Sequence, residues 1–227
     1  MAIWTPSPII GEIRKKAGSD VFSKNHYGPI IRKHIKPINP KSAGQTTQRN
    51  SLKTLAQGWK AIGQAKILAW NALAAGIALK NRLGNGITLT GESMYLRNNL
   101  NILSVGGTAI STAPSVSSNV VPRLLGVVIT IAAGVVSMAY TPGAVATNYV
   151  EVRASGSVSP GKTYNSKFKS FGKFASNAAS PYVATTDYTA VFGTPPAAGG
   201  CVFFEWRVVD SLTGFCTGYE RARVIAT

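Results

Sequence analysis

Acid is what this 227-residue chain has least of: eight Asp and Glu stand against 24 Lys and Arg. With so few carboxylates, no pair is placed for general acid–base work. Histidine is scarcer still, and His26 and His34 have no neighbouring acid to orient them. No grouping of Cys, His and Asp has metal-ligand spacing, so the chain reads as a non-enzyme without metal or cofactor. The two cysteines, Cys201 and Cys216, make no disulfide framework. A hairpin turn at Asp210–Gly214 sets Cys216 opposite a residue near Val209. Cys201 is then roughly 25 Å further along at ~3.3 Å per residue, while a bridge needs Cα atoms within about 7 Å. Two free, partly buried thiols are expected.

Long apolar runs are also missing. Leu124–Tyr140 is the nearest to one, but its 17 residues include Gly126, Thr130, Gly134 and Ser137. A membrane span needs about 20 residues. The Val and Ile content around Ala133-Gly134 instead predicts two strands joined by a tight turn. The opening Met-Ala-Ile-Trp-Thr-Pro has neither the charged nor the apolar stretch of a secretory signal. No membrane span is expected.

What is abundant is positive charge, and it is uneven. Fifteen cations face three acids before residue 112, a balance of +12, and nine face five after it, a balance of +4. The excess sits where apolar patterning is poor, from Ile13 to about Lys53. Arg14, Lys15, Lys16, Lys24, Arg32, Lys33, Lys36, Lys41, Arg49 and Lys53 are the candidate contacts, with Phe22 and Tyr27 interleaved. Such a segment needs an acidic or extended partner, either nucleic acid or a neighbouring subunit.

Three parts are expected. Residues 1–41 read as a basic extended arm, with short β segments at Asp20–Lys24 and Ile30–Lys36 around the turn-type cluster 25–28. In the second of these, Ile30, Arg32, His34 and Lys36 form a basic face. Pro37 and Pro40 end it. Residues 42–111 read as a three-helix unit. Leu52, Leu55, Trp59 and Ile62 give the first helix a narrow apolar stripe. Leu68, Ala69, Ala72 and Leu73 continue it on a second helix with Trp70 at the shoulder. Thr90 caps a third, anchored by Met94, Tyr95 and Leu100. The surface Leu52/Leu55/Trp59/Trp70 is the candidate for assembly.

Residues 112–227 read as strands after a Thr-, Ser-, Ala- and Pro-rich linker that runs to Val121. The strands are the hairpin at Ala133-Gly134, Asn148–Ala154, Asp187–Phe192, Val202–Val209 and Tyr219–Ile225. Val202, Phe204, Trp206 and Val208 share a buried face. This spacing predicts an immunoglobulin-like or fibronectin-III-like sandwich, making the whole an α+β chain of several parts.

Gly156-Ser-Val-Ser-Pro-Gly161-Lys162-Thr163 fits the phosphate-loop pattern GxxxxGK[ST], and Tyr164, Phe168 and Phe171 follow at near-helical spacing. The mechanism argues against it. Pro160 removes one of the backbone N–H groups such a loop relies on, and 64 residues after Thr163 are too few for the usual α/β sheet. Glu205 and Asp210 at the ends of CVFFE and RVVD are ordinary strand ends. Nucleotide binding is the weaker alternative, behind nucleic-acid binding by the basic half.

Several strings together resemble phage and prophage proteins of Bacteroidetes-type hosts. The first is GEIRKKAGSDVFSKNHYGPIIRKHIKPINPKSAGQTTQRN, with its Pro37-x-Asn39-Pro40 stop followed by Gln45, Gln48 and Arg49. Trp59, Trp70-Asn71, LTGESMY and Asn98 continue the likeness, as do SPGKTYNSKFK and the run from Tyr188 to Gly193. The resemblance implies a virion structural protein, made in the host cytoplasm and assembled into a particle. Its partners would be other virion proteins, its own copies or packaged nucleic acid, with no small-molecule substrate.

Overall fold

A computed structural model describes residues 2–3, 15–25, 28–35, 39–80 and 86–227. The chain is α+β, and it divides into two compact units, Met1–Thr46 and Thr47–Thr227. The helices of 42–111 and the strands of 112–227, expected as separate parts, share the second unit.

The first unit is a four-stranded antiparallel sheet of β1 (Ala2–Ile3), β2 (Lys15–Ala17), β3 (Asp20–Asn25) and β4 (Gly28–Lys33), in the order β1-β4-β3-β2. The two expected β segments are β3 and β4, and they pair with each other from Asp20↔Lys33 to Asn25↔Gly28. Ile30 is the one buried residue among its described side chains.

The second unit begins within α1 (Ala43–Ala61), which is separated from α2 (Gln64–Gly76) by Gly63 at φ 85°. Two short strands, β5 (Leu79–Lys80) and β6 (Gly86–Ile87), pair before α3 (Gly91–Ser104). As expected, Thr90 caps α3, its side-chain oxygen accepting from the Ser93 N–H at 3.2 Å. The face of α2 is rotated from expectation. Leu68, Ala69 and Ala72 are exposed, whereas Trp70, Leu73 and Ala74 are buried, followed by Ile77 just beyond the helix. The helix is apolar nearly all round, so periodicity alone cannot choose a face. Trp70 decides it by placing its ring edge-on to Tyr95 and donating Nε1–H to the Ser111 carbonyl at 3.0 Å.

The strands form two facing antiparallel sheets. One holds β7 (Leu125–Ala132), β8 (Val135–Thr141) and β11 (Tyr182–Val183) in the order β11-β8-β7. The other holds β9 (Asn148–Ala154), β10 (Lys169–Ala175), β12 (Cys201–Asp210) and β13 (Glu220–Ile225) in the order β10-β9-β12-β13. Between them lies a core that includes Ile131, Val136, Met138, Val150, Val152 and the expected row Val202, Phe204, Trp206 and Val208. The turn of the β7–β8 hairpin has Ala133 at φ 49° and Gly134 at φ 77°, the left-handed pair that suits a two-residue hairpin loop.

One expectation fails here, and one strand was not expected. Asp187–Phe192 is no strand: Thr185–Phe192 is α4, with Tyr188 buried and stacked on Phe192 one turn later. The β-branched residues at 185, 186, 189 and 191 suit a strand, but the four-residue spacing of the two rings wins. Conversely, Phe171 has near-helical spacing from Phe168 yet lies in β10. A bulge between Ser170 and Gly172 shifts the strand's phase, so that Phe171 and Phe174, three apart, both enter the core.

Candidate functional site

The outer face of the four-stranded sheet carries charge in alternating rows. Lys173, Glu151 and Arg207 stand abreast on β10, β9 and β12. In a neighbouring row Arg153, Glu205 and Arg221 stand abreast on β9, β12 and β13. Strand alternation puts these residues opposite the core-facing Val150, Val152 and Phe204. Solvent does not reach the acids: Glu151 is 4% exposed and Glu205 5%.

Both oxygens of Glu151 are taken by guanidinium groups. Arg207 donates from Nε to Oε2 at 2.7 Å, and Arg153 from Nη2 and Nε to Oε1 at 2.9 and 3.1 Å. Burial alone pushes this carboxyl up, but the two arginines together outweigh it and hold the group below the ordinary carboxylate value. Both guanidiniums also stack on Tyr219, 4.5 and 5.0 Å from the ring centroid. Burial pushes the Tyr219 hydroxyl up to about 12, against the opposing pull of Arg207. The Cys216 sulfur receives Arg207 Nη1 at 3.6 Å and Asn101 Nδ2 at 3.5 Å. Glu205 pairs with Arg221 at 2.5 Å. Three guanidinium donors fill most of the acceptor sites of the Glu151 carboxylate. Among the described residues no three His, Cys, Asp or Glu side chains gather as a metal site.

Helix α3 roofs one end of this face. Asn98 donates Nδ2–H to the Thr213 carbonyl at 3.0 Å, and Asn101 donates to that of Gly214 at 2.9 Å. Asn99 holds the strap that follows the helix, giving Nδ2–H to the Ile110 carbonyl at 3.1 Å and accepting from its N–H at 2.6 Å. The sequence signal for this clamp is three poor helix formers within 98–101. Asn98 is marked in the sequence only through the resemblance, and no local pattern signals the pairing of Glu151 with Arg207, which are 56 positions apart.

The residues singled out from sequence lie elsewhere. Lys15 and Lys16 on β2 and Arg32 and Lys33 on β4 are exposed. Lys16 and Arg32 flank Val21 on one side of the sheet, while Lys33 lies opposite Asp20 on the other, so both sides carry cations. Lys24 is on β3, and Lys41, Arg49 and Lys53 are exposed before and along α1. Arg14 and Lys36 lie outside the described residues, as do His26 and Tyr27. Of the assembly candidates, Leu52 is open, Trp59 is half-buried against Tyr95, and Leu55 and Trp70 belong to the interior. A side chain that closes its own core cannot also dock a partner.

Gly161-Lys162-Thr163 follows a turn in which the Lys162 N–H donates to the Ser159 carbonyl at 3.1 Å. Arg223 donates to the carbonyls of Pro160 and Lys162. The chain then runs without helix to β10, so the helix N-terminus that a phosphate loop uses is missing from this segment. The thiols are free, Cys201 buried and Cys216 half-buried, and the Cys216 backbone pairs with Val209 in an isolated antiparallel β-bridge. Among the described residues no helix is long and apolar enough to cross a membrane. Compared with known proteins, the chain matches no family model and no curated protein sequence.

Proposed function

We propose that this chain is a non-enzymatic structural protein of a bacteriophage virion, which assembles through its basic N-terminal unit. The observation that carries the reading is the make-up of that unit. Its strands hold Lys15, Lys16, Lys24, Arg32 and Lys33 against the single acid Asp20, and Ile30 is its one buried described residue. A sheet with cations on both sides and one buried side chain among those described gains its stability from a partner surface. Neighbouring virion subunits, further copies of the chain or packaged nucleic acid supply that surface.

The second unit acts as the rigid body that the N-terminal sheet tethers. We read its paired sheets as an immunoglobulin/fibronectin-III-like sandwich, supported by the strand order. The chain makes a hairpin in one sheet, crosses for a hairpin in the other, returns for one strand and ends on the far side. The pairing of Glu151 with two arginines supports a structural rather than a catalytic role.

The test is to replace the ten cations from Arg14 to Lys53 by Ser in the phage genome and to quantify the chain in purified particles. Loss of incorporation, with the second unit still folded, is the expected result. Normal incorporation overturns the reading.

A further inference from the structure

Tyr164 stands between two hollows beside β12 and β13. One, of about 240 Å³, is lined by Tyr164, Phe168 and Phe203 with Arg221 and Arg223. The other, of about 390 Å³, is lined by Ser157, Lys162, Tyr164 and Lys167. Tyr164 and Asn165 belong to both. The Tyr164 ring is 60% exposed, although a buried aromatic floor lies beside it. The Arg221 guanidinium is 6.0 Å from the Tyr164 centroid and 5.6 Å from that of Phe168, so a flat cation and two rings share one surface.

The charge here is unbalanced. Lys162, Lys167, Arg221 and Arg223 are all exposed, and the acid among them, Glu205, is already paired with Arg221. Arg223 hydrogen-bonds to backbone carbonyls, which occupies its donors without neutralising its charge. An aromatic hollow joined through one ring to a lysine-lined hollow matches a ligand with flat bases strung on phosphates. Bases in a duplex are stacked on each other and closed to such a ring, whereas unpaired bases are open to it.

We propose that this double hollow binds single-stranded nucleic acid. A base stacks on Tyr164 beside Phe168 and Arg221, while the flanking phosphates meet Lys162 and Lys167. This site lies in the C-terminal half and is independent of the basic N-terminal unit and of the assembly reading.

The test is fluorescence anisotropy of the full chain with a labelled oligothymidylate of about 12 nucleotides, across a salt series. Tyr164→Ala is expected to weaken binding by about 5- to 100-fold, and Tyr164→Phe to retain it. Lys162→Ala with Lys167→Ala is expected to lower the log–log salt slope by about 1.4. All these side chains are exposed, so unchanged thermal melting is the companion readout. Absence of binding, wild-type behaviour of all the variants, equal losses in the Ala and Phe variants, or equal competition by duplex each overturns the proposal. Wild-type behaviour throughout assigns any binding to the N-terminal cations instead.

Discussion

Arg207 Nε lies 2.7 Å from Glu151 Oε2, on neighbouring strands of one sheet and 56 positions apart in sequence. Glu151 is buried and Arg207 half-buried on the face that alternation alone assigns to solvent. Arg153 and Tyr219 complete the cluster around this single carboxylate.

Removing that carboxylate strands its partners. Glu151→Ala is expected to cost about 3 kcal/mol, because Arg207, with its side chain only 14% exposed, is left without an anion. Urea unfolding of the full chain measures the loss, and Glu151→Gln, which keeps one acceptor oxygen, should lose less.

The same site sets a pH dependence. The folded carboxyl of Glu151 titrates below its ordinary 4.5, so the unfolded chain binds the proton more readily. Its stabilisation is therefore complete above about 4.5 and disappears as pH falls through the lower folded value. Unfolding free energies from neutral pH down to acid should fall more steeply below that point for the native chain than for Glu151→Gln.

Gly214 sits at φ 73°, and an added Cβ would lie 2.2 Å from the Asn98 carbonyl oxygen. Gly214→Ala therefore adds left-handed strain to a backbone clash. A loss of about 3 kcal/mol or more is expected, with faster amide exchange where α3 meets the 210–214 turn.

Trp70 and Leu52 separate interior from surface. Trp70→Ala is expected to cost about 3–5 kcal/mol, since the side chain is fully buried and loses its hydrogen bond to Ser111. Leu52→Ala should change stability by no more than ~0.5 kcal/mol, because that side chain is 44% exposed. Thermal melting of both variants distinguishes them.

Much of the β architecture was legible from local pattern. Asn148–Ala154 has the bounds read from alternation, and Val202, Phe204, Trp206 and Val208 share the core face as read. Thr90 caps its helix, and Ala133-Gly134 turns its hairpin. These features depend on neighbours within a few residues. The candidate site was far less legible. Glu151 and Arg153 read as the polar face of an alternating strand, and nothing local in Asn98, Asn99 and Asn101 marks them as a clamp. Their roles depend on partners that come together only when α3 lies over the sheet.

The sequence by itself determined the charge asymmetry, the hairpin turn, the helix cap and most core strands, because each follows from side-chain period or backbone preference. Tertiary structure alone decided which face of α2 is buried, since an all-apolar helix has no preferred side until Trp70 finds Tyr95 and Ser111. It also decided that Tyr188 and Phe192 stack on a helix rather than alternate on a strand. And it turned Glu151 from a surface acid into the buried centre of an ion cluster. Burial and long-range pairing depend on which distant segments meet, and no local period encodes that.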